Sequence, residues 1–367
     1  MQYKLLVKKV SVSADKKTKQ KDYMSSGKLP IIDQGKLLIG GYTDDISKQL
    51  PCNLPVIVFG DHTKNVKFIS FPFGAGADGI KVIEPKGDML AKYLYYGTLY
   101  LTFKIKDKGY ARHYQHIEKQ DLPVPPLPEQ ERIVARIEEL FSELDKAVET
   151  LKKTKEQLAV YRQAVLKEAF GKVEDTIWLG EIIDSRLGKM LDKTKNVGTP
   201  RQYLRNTNVR WFSFDLSDLL EMKIEDDEIE KYSVDKGDLV ICEGGEPGRC
   251  AVWEKDYTFF YQKALHRVRF TDGSNPKFYM YYLWFSAQTG QLARYFTGTG
   301  IKHLTGQSLN KVIVPTALKS FQDKIVSEIE SRLSVCDSVE KTIDTALQEA
   351  EAMRQSILKK AFDGGFI

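Results

Sequence analysis

Three short polar segments in the second half of the chain, residues 203–208, 243–249 and 297–303, carry cations or amides, and the last two also carry glycine. Glycine allows a backbone to approach another molecule closely, a neighbouring cation can bind phosphate, and arginine or asparagine can form paired hydrogen bonds with guanine or adenine edges. The segments supply Arg205, Asn206, Asn208, Arg249, Thr299, Gly300, Lys302 and His303. We therefore predict DNA contacts there, and a turn with solvated side chains is the alternative interpretation of each segment.

The first half of the chain offers a weaker set of the same kind. Residues 110–114 line up with 300–304 at an offset of 190, so Arg112 and His113 match Lys302 and His303, each pair just before a long helix. Lys64 lies in a polar turn after an apolar strand. Residues 1–28 add eight lysines against two aspartates. This segment could attract phosphate, although a solvated terminus would have the same composition.

The sequence lacks the motifs of adenine methyltransferases and of P-loop helicases. An Asp…Glu-x-Lys nuclease pattern is too short to exclude, but no convincing strand carries one. A phosphate-cradling P-loop is absent, and the single Pro-Pro, at 125–126, is not part of the Asn/Asp/Ser-Pro-Pro-aromatic tetrad of adenine methyltransferases. The four cysteines fit neither a disulfide framework nor a zinc spacing, and His113 and His116 have no cluster of further ligands beside them. We expect a chain that is not itself an enzyme, with no cofactor and no metal.

The composition is that of an ordinary globular protein. The 367 residues are 42% hydrophobic and 29% charged, and the net charge of +5 is too small to identify a nucleic-acid binder by itself. No apolar run approaches the roughly 18–20 residues of a membrane helix, and the first residues lack the apolar core of a signal peptide. We therefore expect a cytoplasmic protein.

The elements that would position the candidate residues form an internal repeat. Residues 129–170 contain no glycine or proline, and their apolar residues recur in alternating steps of three and four, which predicts a helix with a coiled-coil seam. The same spacing of apolar residues returns at an offset of 192. Its weak positions are Thr154 in the first copy and Arg332 in the second. The predicted seam consists of Ile137, Leu144, Leu151 and Leu158 in the first copy and of Ile329, Ile343 and Ile357 in the second.

Two helices of this length, about 60 Å each, need partners, and each can pair antiparallel with the other because the chain travels out and back. Short apolar strands and glycine-bearing turns precede each helix. The sequence therefore predicts an α+β fold in which two globular α/β domains are joined by two long antiparallel helices forming a coiled coil, with an internal pseudo-two-fold repeat. We place the first domain at 1–122, the first helix at 123–173, the second domain at 174–315 and the second helix at 316–367.

Several motifs resemble those of one known family over essentially the whole chain. The run PVPPLPEQERI at 123–133, the helix end LKEAFG at 166–171 and the segments YLRNTNV, GDLVIC and GTGIKHL are similar to the specificity (S) subunits of type I restriction-modification systems. The segment WLGEI at 178–182 is the usual opening of a recognition domain in that family. The first copy has no such sequence, so we expect its N-terminal edge to be shortened.

The resemblance implies a non-catalytic subunit that binds double-stranded DNA. Each domain would be a target-recognition domain that reads one half of a bipartite site. The helices would set the spacing of the half-sites and dock two modification (methyltransferase) subunits, which a restriction subunit would join. The residues alone leave two alternatives: a coiled-coil scaffold protein, or a stand-alone nucleic-acid-acting enzyme with an unrecognised active site.

Overall fold

The computed structural model describes residues 1–76, 79–105, 112–192, 194 and 196–366. The chain forms two compact units, residues 1–152 with 343–367 and residues 153–342. Two helices of 44 residues, α4 (Leu127–Phe170) and α7 (Lys319–Phe362), each contribute one part to each unit. In the part of the chain that the structure describes, no helix is both long and apolar enough to cross a membrane.

The first unit contains a four-stranded antiparallel sheet and a smaller three-stranded sheet. Its elements are α1 (Tyr3–Leu6), β1 (Val7–Val10), β2 (Leu29–Ile32), β3 (Gly41–Thr43), β4 (Val56–Gly60), β5 (Val66–Ile69), β6 (Gly74–Ala75), β7 (Ile80–Pro85), α2 (Ala91–Phe103) and α3 (Tyr114–Ile117). The larger sheet has the order β1-β7-β4-β5. The smaller has the order β3-β2-β6, in which β2 and β6 are parallel.

The second unit has the same organisation with additional strands. Its elements are β8 (Thr176–Trp178), β9 (Ile183–Leu187), β10 (Thr199–Leu204), β11 (Val209–Arg210), β12 (Ser213–Phe214), β13 (Leu220–Ile224), β14 (Ser233–Val234), β15 (Leu239–Cys242), β16 (Cys250–Val252), β17 (Phe259–Tyr261), β18 (Leu265–Phe270), α5 (Pro276–Gln288), α6 (Gly306–Asn310) and β19 (Ile313–Pro315). One sheet has the order β9-β18-β15-β16 and another β13-β10-β17-β14, with β10 and β17 parallel.

The two domains repeat each other strand by strand. The order β1-β7-β4-β5 corresponds to β9-β18-β15-β16, and β3-β2-β6 corresponds to β13-β10-β17. A segment equivalent to WLGEI is present in the first domain: the N–H of Tyr3 donates to the carbonyl oxygen of Gln120 at 2.8 Å, as the N–H of Leu179 donates to that of Val312 at 2.8 Å. The expectation of a first domain that lacks this opening is therefore corrected. The sequence did not show this equivalence, because the two segments have different side chains and share only their main-chain hydrogen bonds.

The two long helices pack antiparallel within each unit and exchange equivalent side chains. In the first unit, the start of α4 meets the end of α7 in one apolar cluster, which contains Ile133, Val134, Ile137, Leu358, Ala361 and Phe362. In the second unit, the end of α4 meets the start of α7 in another, which contains Leu166, Ala169, Phe170, Ile325, Val326 and Ile329. Each member of one list lies 192 positions from a member of the other, so the repeat is present in the packing.

Between these clusters the predicted seam is less buried than a continuous coiled coil would require. Ile137, Ile329 and Ile343 are at most 4% exposed, whereas Leu144, Leu151, Leu158 and Ile357 are only half-buried. Positions that the same rhythm assigns to the seam are exposed: Tyr161 by 43%, Val339 by 37% and Met353 by 53%. A uniform heptad seam is therefore wrong for the central turns.

Ion pairs join the helices in these central turns. Nη2 of Arg162 lies 2.7 Å from a carboxylate oxygen of Asp337, and Arg354 pairs with Asp145. Arginine and aspartate occupy equivalent positions of the two copies, so the second pair repeats the first with the helices exchanged. Arg332, the weak member of the seam, pairs with Glu168 at 2.9 Å.

A buried glutamine ties each domain to the start of its long helix. Oε1 of Gln322, which is 0% exposed, accepts from the N–H of Asn275 at 2.7 Å, at the start of α5. Gln130, its counterpart, accepts from the N–H of Leu90 at 2.9 Å, at the start of α2. Because a buried amide with no partner is costly, these bonds fix where the aromatic helix of each domain meets the long helix.

Candidate nucleic-acid interface

The turn between β15 and β16, residues 243–249, brings together the three segments that the sequence singled out. The N–H of Leu304 donates to the carbonyl oxygen of Glu243 at 2.7 Å. Nδ2 of Asn206 donates to the carbonyl oxygen of Gly244 at 2.9 Å. Segments that are distant in sequence thus form one polar surface at the end of the sheet β9-β18-β15-β16.

The segment before α6 is a tight loop closed by its own backbone. Thr297 and His303 exchange two main-chain hydrogen bonds, of 2.8 and 2.9 Å. Nζ of Lys302 donates to the carbonyl oxygen of Gly298 at 2.8 Å, and Gly298 has a φ of 96° that favours glycine. The exposed candidates on this loop are Thr299, Gly300 and Lys302, and His303 is half-buried. This loop presents the most accessible candidate side chains of the second domain.

Arg249 is committed to holding the turn. Its side chain is 15% exposed, and Nη1 lies 2.8 Å from a carboxylate oxygen of Glu246. Nη2 donates to the carbonyl oxygen of Asn206 at 2.8 Å. A guanidinium with these partners can read a guanine edge only if it leaves them, so its geometry is that of a positioning residue.

Two other candidates shape the loop after β10. Arg205 donates to the carbonyl and the carboxylate of Asp218, both at 2.7 Å. Asn208 is 2% exposed, and its Nδ2 donates to the carbonyl oxygens of Asp215 and Asp218 at 2.9 and 3.0 Å. The prediction that Asn208 contacts a base is wrong for this conformation, because its amide is buried and already bonded.

Burial controls the ionisable groups beneath this surface. It lowers the pKa of His266, whose Nε2 lies 3.0 Å from the carbonyl oxygen of Leu304, and it raises the pKa of the Cys242 thiol to about 11. Both groups are therefore neutral near pH 7. No cluster of three or more histidine, cysteine, aspartate or glutamate side chains that could hold a metal occurs among the described residues.

In the first domain, the turn after β4 corresponds to the turn after β15. Its hydrogen bonds correct the predicted alignment of the two copies. The N–H of His113 donates to the carbonyl oxygen of Asp61 at 2.8 Å, as Leu304 does to Glu243. His113 therefore corresponds to Leu304, and the predicted match with His303 is off by one residue. It is 1% exposed, so a direct DNA contact is excluded in this conformation. Positions 110–111 of the predicted match lie outside the described residues.

Arg112 is exposed and borders a cleft of about 690 Å³. Besides Arg112, the cleft is lined by Lys9, Val10, Ser11, Val12, Lys17, Asp61, His62, Gly79, Ile80, Lys81 and Val82. Lys64 lies in the turn between β4 and β5, where its φ is 59° and its N–H donates to the carbonyl oxygen of Gly60 at 2.9 Å. The structure therefore keeps Arg112 accessible and gives Lys64 a role in the turn itself.

Sequence reasoning missed Gln34, which corresponds to Asn206. The carbonyl oxygen of Gln34 accepts from Oγ1 of Thr63 at 2.6 Å and from Nδ2 of Asn65 at 2.8 Å, as that of Asn206 accepts from Arg249. The side-chain oxygens of Gln34 and Asn206 are both buried with no hydrogen-bond partner in the described part of the chain. The pair is revealed only by comparing how β2 pairs with β6 and how β10 pairs with β17. The two strands are too short for their sequences to be aligned.

Two solved structures share the fold of almost the whole chain. A chain from a structural study of complex assembly and conformational transition of the type I R-M system has a TM-score of 0.71 and 15% identity, over 99% of this chain and 96% of that one. The HsdS subunit from Thermoanaerobacter tengcongensis has a TM-score of 0.60 and 16% identity, again over 99% and 96%. At these identities the likeness concerns the fold alone.

Curated relatives in sequence are described as specificity subunits of type I restriction enzymes. The EcoKI specificity subunit of Escherichia coli (strain K12) is 24% identical over 266 residues, 66% of this chain and 57% of that protein. The EcoR124I/EcoR124II specificity subunit of Escherichia coli is 28% identical over 212 residues, 53% of this chain and 50% of that protein. The chain thus matches between half and three-fifths of the length of these curated relatives.

A family model covers both copies of the repeat. The type I restriction modification DNA specificity domain matches residues 8–159 and again residues 175–349. Each match contains one globular domain and a large part of the long helix after it. The chain therefore belongs to the family of type I restriction-modification specificity subunits.

Proposed function

We propose that this chain is the sequence-specific DNA-binding subunit of a type I restriction-modification enzyme and reads a bipartite site with one domain per half-site. The observation that carries the proposal is the strand-by-strand repeat, since both domains place a loop before a short helix against the turn that follows the corresponding strand. Two equivalent readers suit two half-sites. The domains we assign to this role are 1–122 and 174–315, with spacer helices at 123–173 and 316–367.

The contact residues proposed for the second domain are those of its exposed loop, Thr299, Gly300, Lys302 and His303. Asn206 and Arg249 would hold the turn at 243–249 in place, and Arg205 would hold the loop after β10. In the first domain, Arg112 would contact DNA, while Lys64 and Gln34 would shape the surface beside it. This division follows exposure and bonding: the exposed side chains make few internal bonds, and the bonded ones are at least half-buried.

The long helices would dock the two modification subunits, which a restriction subunit would join. Apolar side chains exposed on these helices, which include Val160 at 68%, Val335 at 63% and Met353 at 53%, would lie in that interface. Catalysis would belong to those partners.

The function is tested by the methylation pattern that the gene produces. A host that carries this gene with its neighbouring modification gene should show methylated bases in one two-part motif with a fixed gap, detectable by single-molecule sequencing. Deleting this gene alone should abolish the pattern. A methylated motif that is unchanged after the deletion would refute the assignment.

The purified chain alone is expected to be inactive. It should neither methylate nor cleave DNA, and calorimetry should detect no binding of S-adenosylmethionine, because the proposed chemistry lies in other subunits. The positive control is the complex reconstituted with its modification subunits. Micromolar affinity for S-adenosylmethionine in this chain alone would contradict a non-catalytic role.

Gly244→Ala is expected to displace the contact loop of the second domain. A Cβ at this position would lie 2.9 Å from Nδ1 of His303, so the ring must move. DNA affinity of the partner-loaded complex should fall by about tenfold, roughly 1.4 kcal/mol. The matched control is Gly306→Ala, whose Cβ would meet only Cε1 of His266, at 3.7 Å, and should leave affinity unchanged. Equal affinities for the two variants would show that the His303 loop does not contribute to binding.

A further inference from the structure

The cleft of the first domain differs in charge from the equivalent place in the second. Lys9, Lys17, Lys81 and Arg112 bring four cations to its lining, and Asp61 is the carboxylate among them. Nζ of Lys81 lies 3.6 Å from that carboxylate. Lys9 also pairs with Glu118, so at least two of the four cations have carboxylate partners and a positive balance remains. The cleft is wide enough for a sugar-phosphate unit.

Strand register identifies what occupies the same positions in the second domain. Lys81 lies opposite Phe59 in the larger sheet, and His266 lies opposite the equivalent Ile241. Lys9 pairs with Ile83, as Ser185 pairs with the equivalent Val268. His113 donates to the carbonyl oxygen of Asp61 as Leu304 donates to that of Glu243. The residue after each acceptor and the residue before each donor therefore also correspond. The pairs, first domain before second, are Lys9/Ser185, His62/Gly244, Lys81/His266 and Arg112/His303.

At the positions where the first domain has a lysine or arginine, the second domain has small or titratable residues. Two lysines and an arginine become serine and two histidines, and burial keeps His266 neutral. The lysine-rich segment 1–28, which includes Lys9 and Lys17, also belongs to the first domain. The second domain keeps the exposed Lys302 next to His303, so the first domain carries the larger share of fixed positive charge that attracts a polyanion.

We propose that the cleft of the first domain binds a backbone phosphate of double-stranded DNA, so that the first domain supplies a salt-dependent part of the affinity that the equivalent place in the second domain does not. This inference rests on the proposed DNA-reading function. Neutralising a phosphate releases condensed counterions, which is why each such contact steepens the dependence of affinity on salt. The second domain would depend more on hydrogen bonds from its exposed loop.

The test measures how the affinity of the partner-loaded complex for its duplex changes with KCl concentration. Lys81→Gln and Arg112→Gln remove cations whose side chains are exposed enough to spare the fold. The slope of log affinity against log salt should become shallower by about 1 for each variant and about 2 for both together. Lys86→Gln removes the same charge beyond the other end of β7 and should leave the slope unchanged. Thermal unfolding establishes that each variant is folded, because Lys81→Gln leaves the buried Asp61 carboxylate without its lysine partner.

The outcomes separate this inference from the proposed function. A parent complex without any sequence preference would sink the proposed function. A parent with sequence preference whose slope is unchanged in the Lys81→Gln/Arg112→Gln double variant would overturn only the phosphate cleft. A calorimetric arm at constant ionic strength uses pyrophosphate and ATP as free phosphate sources. If calorimetry shows that pyrophosphate or ATP binds the parent at micromolar concentration but not the double variant, and the double variant keeps the parent's slope for DNA, the cleft is a site for free phosphate and its assignment to DNA is wrong.

Discussion

Ile329→Asp is expected to lower the free energy of unfolding by about 4 kcal/mol or more, in the range of severe core substitutions. Ile329 is 0% exposed and packs where the start of α7 meets Leu166 and Phe170 of α4. Aspartate would lose this apolar contact and place a carboxyl group away from water. Because domains are stable by only about 5–15 kcal/mol, thermal unfolding should occur many degrees below that of the parent.

The other positions of the helices provide graded controls for this variant. Ile137→Asp, at the equivalent buried site of the first unit, should be equally severe. Leu151→Asp should cost clearly less, because Leu151 is only half-buried. Val335→Asp, on α7 but 63% exposed, should change stability by no more than about 0.5 kcal/mol. If Ile329→Asp unfolds at the same temperature as Val335→Asp, the helices are not held together by these terminal clusters.

The long helices were predictable because their signal is long and local. A stretch of forty residues without glycine or proline that repeats at one offset has few alternatives. The bounds moved little, from a predicted start at 129 to Leu127, with the predicted end at 170 retained. The type of contact was not predictable. The periodicity that predicts a seam is also satisfied by Tyr161 and Met353, which the structure leaves exposed.

The repeat in the sequence carried more information than the helical rhythm. Arg162 and Arg354 are equivalent positions, as are Asp145 and Asp337, and the structure pairs each arginine with the aspartate of the other copy. An antiparallel pair of related helices requires this exchange, because each contact occurs twice with the partners reversed. Matching charges at one offset were therefore a signal of pairing that apolar periodicity alone did not provide.

The candidate site was predictable in its segments and not in its individual side chains. The sequence identified the turn at 243–249 and the loops that meet it, because glycine and polar clusters mark turns. It could not separate Lys302, which is exposed, from Asn208, which is buried and bonded to main-chain carbonyls. The same types of polar residue hold loops and contact ligands, so residue type alone does not separate the two roles. The off-by-one match of His113 has the same origin, since hydrogen bonds rather than residue types set that register.

Variants at equivalent positions of the two domains are expected to relax different halves of the DNA site. Asn206 and Gln34 are equivalent by strand register. The side-chain oxygen of each is buried with no hydrogen-bond partner in the described part of the chain, so alanine alters the same place in the two domains. Asn206→Ala and His303→Ala should reduce discrimination at one half-site by roughly 1–3 kcal/mol. Gln34→Ala should do so at the other half-site only. Lys302→Ala should follow His303→Ala if it contacts a base edge, and should weaken all sequences alike if it contacts phosphate.

The measurement is a competition assay in which each half-site is scrambled in turn against the intact duplex, with the partner-loaded complex of each variant. Thermal unfolding first establishes that the variants are folded, since Asn206→Ala removes the bond to Gly244. Arg112→Ala is the internal contrast: if its guanidinium contacts phosphate, affinity falls for every competitor and the preference between them is kept. The decisive comparison is between Asn206→Ala and Gln34→Ala. If both relax the same half-site, the domains do not read separately, and the strand-by-strand repeat reflects common ancestry without a division of the DNA site.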